Sequence, residues 1–77
     1  MEKKEIIKLF AENLRAERAR KNYSQEYLAE KANITTEYLN RIEKEKYSPS
    51  LIVIVNLAYA LNIDLNTLFP INPIKNI

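Results

Sequence analysis

"SQEYLAEKANITTEYLNRIE", residues 24–43, is the stretch on which the fold turns. Ser24 and Thr35 are residue types that cap helix N-termini, and each precedes a run of apolar side chains at helical spacing. The earlier run offers Leu28, Ala29 and Ala32, and the later one Leu39 and Ile42. Between them Asn33 can adopt the left-handed conformation that ends a helix, and Ile34 plugs the turn. Two short helices joined this closely cross steeply and bury one shared face, with Ala29 small enough to let the partner pass. The later helix then shows a polar outer face, and its inner stripe ends on a carboxylate, Glu43.

Working outward, the same helical period continues on both sides. A first helix is expected from Lys4 to Lys21, with Ile7, Phe10, Ala11, Leu14 and then Arg18 on one stripe. The second should run over 25–32 and the third from its Thr35 cap to about Glu45. Pro49 and Ser50 open a fourth helix to Leu61 or Asn62, and "IDLNTLF" reads as a short fifth. No segment alternates with the period of a strand, so the fold class is all-α: a compact five-helix bundle containing a helix-turn-helix formed by helices two and three. One domain is expected over residues 1–77, with 70–77 as a short apolar tail. Arg18 then accounts for Glu43. Each extends an inner stripe by one turn, so helices one and three would bring opposite charges together, and a hydrogen-bonded pair is tolerated where a lone buried charge is not.

Composition narrows the function. A chain of 77 residues, 47% hydrophobic and 29% charged, supports one small domain. A domain that small buries only about 60% of its unfolded surface, so association would stabilise it. Cysteine and histidine are both absent, which removes disulfides, thiolate nucleophiles, the usual zinc sites and the commonest general base. An enzyme is therefore not expected, nor a metal, a cofactor or a small-molecule ligand. No apolar run approaches the roughly 18 residues of a membrane span, and "MEKKEIIKLF" has acids within its basic start and no small-residue cleavage site, so a cytoplasmic location is expected. A net charge of +2 permits an anionic partner without requiring one, which makes the placement of the 12 basic residues decisive.

Five elements, "LRAER", "SQEYLAEKANI", "YLNRIE", "SPS" and "LAYALNIDLNTLF", occur in an order and spacing that resemble the lambda repressor/Cro-like helix-turn-helix family. This is the xenobiotic-response-element type of bacterial and phage regulators, and the resemblance spans Leu14 to Phe69. The departures are at turns, where Asn22, Asn33 and Glu45 stand in place of the usual glycine; Glu45 would carry strain if held at positive φ. The resemblance implies the Arg18–Glu43 pairing and a third helix that enters the major groove of double-stranded DNA. It places Thr36, Glu37, Asn40 and Arg41 at base-reading positions, and Gln25, Tyr38, Lys44, Lys46, Tyr47 and Ser48 near phosphates. The side chains agree in part: Arg41 suits guanine O6 and N7, Asn40 suits adenine, and Thr36 can bond a base or touch a thymine methyl. Glu37 is the awkward member, since an acid near phosphates is repulsive unless it accepts from cytosine N4 or bonds Arg41. The five tyrosines, at 23, 27, 38, 47 and 59, show no strand alternation and are expected to pack at the core and its rim.

The expected function is a sequence-specific DNA-binding transcriptional regulator acting as a homodimer on a palindromic operator, with RNA polymerase as a further partner. Small phage-type repressors, restriction-modification controllers and antitoxins fit this description, with control set by the protein's own concentration since the domain fills nearly the whole chain. The alternative is a protein-interaction module that kept the scaffold and lost DNA binding. In helix four, "SLIVIVNLAYALN", Leu51, Ile54, Leu57, Ala58 and Leu61 share the core face. Ile52, Val55 and Tyr59 fall opposite, and with Leu65 and part of residues 70–77 they are expected to build the dimer interface.

Overall fold

The computed structural model describes residues 1–71 and contains five helices: α1 (Lys3–Arg20), α2 (Gln25–Lys31), α3 (Thr36–Glu43), α4 (Leu51–Leu61) and α5 (Leu65–Leu68). The chain is all-helical among the described residues. Three of the starts are side-chain caps: Ser24 Oγ accepts from Tyr27 N at 3.0 Å, Thr35 Oγ1 from Tyr38 N at 3.0 Å and Ser50 Oγ from Val53 N at 3.2 Å. Each satisfies one of the amide donors that a helix start leaves unpaired.

The ends of α1 to α4 share one chemistry. Asn22, Asn33, Glu45 and Asn62 lie in the left-handed region at φ 60, 62, 64 and 57°. The residue after each donates back five positions: Tyr23 N to Arg18 O, Ile34 N to Ala29 O, Lys46 N to Arg41 O and Ile63 N to Ala58 O. This is the bond of a Schellman ending. Three of those following residues, Tyr23, Ile34 and Ile63, also pack against the core, so the turns do part of the work of burial. These endings stop α2 and α3 one or two residues earlier than periodicity suggests: Ala32 and Lys44 serve as their C-caps.

The core combines Phe10 and Leu14 of α1, Leu28, Ala29 and Ala32 around α2, Leu39 and Ile42 of α3, Leu57, Ala58 and Leu61 of α4, and Leu68 of α5. Leu14, Leu28, Leu39, Leu57, Leu61 and Leu68 have no exposed surface, which leaves α3 no freedom to roll. Phe10 and Phe69 stack at 5.1 Å, and Asn13 Nδ2 donates to Leu9 O and Leu68 O, tying α5 to α1. One core assignment is corrected: Leu51 is 72% exposed. The first turn of α4 overhangs the core, and Val53 and Ile54 pack there instead.

Candidate nucleic-acid interface

The inner end of α3 is held by a polar network centred on Glu43. Arg18 Nε donates to Glu43 Oε2 at 2.8 Å and Arg18 Nη2 to Glu43 Oε1 at 3.0 Å, a forked contact that uses both carboxylate oxygens. Arg18 Nη1 donates to Tyr23 O at 2.9 Å, and Arg15 donates to the carbonyl of Glu43. The bond to Glu43 lifts the Arg18 guanidinium above its ordinary range against the downward pull of burial. Gln25 completes the set, with Nε2 donating to Glu43 Oε1 at 2.9 Å and Oε1 accepting from Asn40 Nδ2 at 3.3 Å. No buried side-chain nitrogen or oxygen among the described residues lacks a partner, so Glu43 is accommodated at 3% exposure. The sequence suggested the Arg18–Glu43 contact, but gave no sign that Gln25 and Asn40 extend it from α1 across α2 to α3.

The outer face of α3 is organised differently. Thr36, Glu37, Arg41 and Lys44 are exposed and Asn40 is half-buried. Arg41 Nη2 donates to Glu37 Oε2 at 2.8 Å, and Arg41 Nη1 donates to the hydroxyl of Tyr47 at 2.9 Å, with the Tyr47 ring 5.6 Å from the guanidinium. The Tyr47 hydroxyl, followed by the Glu37 carboxylate, raises the Arg41 guanidinium above its ordinary range. Tyr47 in turn lies against Tyr38, whose ring is half-buried on the core. Two shallow clefts flank Arg41, one lined by Thr35, Glu37, Tyr38, Arg41 and Tyr47, the other by Asn40, Arg41, Lys44, Lys46 and Tyr47. Lys46 and Ser48 are exposed in the connection to α4. Most residues expected to face DNA thus gather around Arg41, while Gln25 sits apart, inside the network at the start of α2.

Ile52, Val55, Tyr59 and Leu65 are 72, 44, 86 and 44% exposed. With Leu51 they leave a run of apolar side chains on the outside of α4 and α5. The portion of the expected interface in residues 72–77 lies outside the described residues.

The helix-turn-helix family model matches residues 14–68. The chain belongs to the helix-turn-helix family. Its relatives include the control protein C.SmaI of Serratia marcescens, 36% identical over 72 residues that cover 94% of this chain and 86% of that protein. The immunity repressor of Bacillus phage phi105 is 37% identical over 57 residues, which cover 74% of this chain but 40% of the repressor. Among solved structures, the restriction-modification controller C.AhdI from Aeromonas hydrophila aligns with a TM-score of 0.79 and 35% identity, over 82% of this chain and 96% of that one. The protein is therefore a member of a family of DNA-binding transcription regulators and not an enzyme. No helix among the described residues is long and apolar enough to cross a membrane.

Proposed function

We propose that this helix-turn-helix regulator recognises a specific, two-fold symmetric operator as a homodimer in the cytoplasm, with α3 of each protomer in the major groove. Thr36, Glu37, Asn40 and Arg41 read base edges, while Gln25, Tyr38, Lys44, Lys46, Tyr47 and Ser48 lie along phosphates. The observation that carries this reading is the two-sidedness of α3: its inner face is locked by Leu39, Ile42 and the Glu43 network, and its outer face is polar, exposed and cationic at Arg41 and Lys44. A rigid helix with such a face fits the major groove. Among regulator types a restriction-modification controller is favoured by the similarity to the control protein C.SmaI, 36% identical over 72 residues, and to the restriction-modification controller C.AhdI, 35% identical.

The exposed run Leu51, Ile52, Val55, Tyr59 and Leu65 supports the two-fold contact, since monomers seldom leave a contiguous apolar patch in water. Such a contact would set two copies of α3 about one DNA turn, ~34 Å, apart. Selection from random DNA should enrich a palindrome with half-sites at that spacing. Sedimentation of the Ile52→Glu, Val55→Glu double variant should show a folded monomer that binds the palindrome poorly and a half-site almost normally. An unenriched pool would refute sequence-specific recognition, and a double variant as dimeric as the parent would refute this interface.

A further inference from the structure

Glu37 is an acid on the face that must approach an anionic duplex. Its side chain is 74% exposed, so no burial requirement explains it. It is joined to Arg41 at 2.8 Å, and Arg41 is joined to Tyr47 at 2.9 Å, so three side chains from α3 and the following connection form one hydrogen-bonded group. Arg41 commits two of its five N–H donors to these partners. Three remain to meet acceptors. Glu37 Oε2 is occupied by Arg41, while Oε1 makes no hydrogen bond among the described residues. An ionised carboxylate has no proton to donate, so Oε1 can meet only a donor.

Because Glu37 and Arg41 stand one turn apart on α3, the group presents arginine donors beside a carboxylate acceptor in a set order along the helix. In the major groove a G·C pair presents guanine N7 and O6 as acceptors and then cytosine N4 as a donor. The two sequences are complementary. An A·T pair presents acceptor, donor, acceptor, which sets thymine O4 against an acid or adenine N6 against the guanidinium. A C·G pair presents the matching groups in reverse order. Building on the proposed insertion of α3 into the groove, we infer that Glu37, Arg41 and Tyr47 form a single reading unit for one oriented G·C pair. In it Arg41 donates to guanine, Glu37 accepts from the cytosine amino group, and Tyr47 positions the guanidinium. Glu37 is the specificity-determining residue, because it turns a general affinity of arginine for acceptors into a requirement for an adjacent donor.

The test measures equilibrium binding of the full chain to its selected site and to the three sites with the other base pairs at the position read by Arg41. A fifth duplex carries N4-methylcytosine there, in which the methyl group replaces the groove-facing N–H. Wild type should prefer the oriented G·C pair and lose about tenfold on N4-methylcytosine. Glu37→Ala, which removes the acceptor, should bind all five duplexes within a few-fold of one another and be indifferent to the methyl group. Tyr47→Phe keeps the ring and removes the hydroxyl; it should narrow the preference for G·C while leaving the melting temperature unchanged. If Glu37→Ala instead strengthens binding to every duplex by one common factor, with the wild-type ratios intact, Glu37 only repels phosphate and the unit does not exist. Arg41→Ala separates the two levels of the argument. A loss of G·C preference in Arg41→Ala with none in Glu37→Ala overturns this inference alone. Unchanged preference in both overturns it together with the assignment of Arg41 to base reading.

Discussion

Helix α3 takes part in an arginine-glutamate pair on each of two faces, with Arg18 of α1 on the inner one and its own Arg41 on the outer one, and both contacts measure 2.8 Å. Glu43 is 3% exposed and Arg18 22%, whereas Glu37 and Arg41 are 74% and 46% exposed. At equal distance the surroundings decide what each pair does. Around Glu43 water is excluded, Gln25 and Arg18 supply its hydrogen bonds, and losing a partner strands a charge where nothing else solvates it. Around Glu37 water screens the attraction, so the pair adds little to stability and can be remade with another partner at small cost. One pair fixes the helix and the other leaves its donors available.

The strongest way to break this contrast is to cut the buried pair. Arg18→Ala should destabilise by about 3 to 5 kcal/mol, because Glu43 is left in the interior with Gln25 as its remaining side-chain donor. Glu43→Ala should lose less, since the partly exposed Arg18 can turn toward solvent. Chemical denaturation at one protein concentration measures both. Equal, small losses would show that the pair contributes no more than a surface contact does.

Cutting the outer pair should give the opposite signature. Arg41→Ala should leave the denaturation midpoint nearly unchanged and weaken the preferred operator by about tenfold to a hundredfold, with preference relaxed at one position. Lys44→Ala should weaken all sequences alike by a smaller factor and flatten the dependence of affinity on salt. Equal losses on operator and random DNA for Arg41→Ala would move Arg41 from the base-reading set to the phosphate set.

The two faces were unequally legible in the sequence. The buried one announced itself: Arg18 and Glu43 each fall where a stripe demands an apolar residue, and a charge in such a place calls for a partner. What stayed hidden was the reach of Gln25 and Asn40 into the network, because amides at a helix edge look the same whether they face solvent or a carboxylate. Helix positions followed from caps and periodicity, while the ends of α2 and α3 came earlier because the backbone closes its Schellman turns before the polar pattern ends. Leu51 misled for a related reason: periodicity gives its angle around α4 but not that the first turn overhangs the core. On the outer face, spacing allowed Glu37 to meet Arg41, but Tyr47 joins them only because the turn at Glu45 folds it back.

That turn supplies the smallest and sharpest test. Glu45 sits at φ 64° with its amide donating to Ile42 O at 3.0 Å, and Lys46 N donates to Arg41 O at 2.9 Å, so this residue sets how the chain leaves α3 and where Tyr47 begins. A residue with a Cβ costs about 1 to 2 kcal/mol in this conformation, and asparagine, which occupies the other three such positions, costs less. Glycine removes that strain but loses roughly 0.5 to 1 kcal/mol through its freer unfolded chain. Glu45→Gly should therefore stabilise by about 0.5 to 1 kcal/mol and raise the melting temperature by roughly 2 to 8 °C. Asn33→Gly, made where the wild-type residue is already tolerant, should change it far less. The same Glu45→Gly variant should keep the base preference of wild type, because glycine reproduces the turn that brings Tyr47 to Arg41. A melting temperature that falls would mean that the Glu45 side chain contributes more than its backbone costs. A rise accompanied by lost base preference would show that strain in this turn, and not hydrogen bonding alone, holds Tyr47 in place.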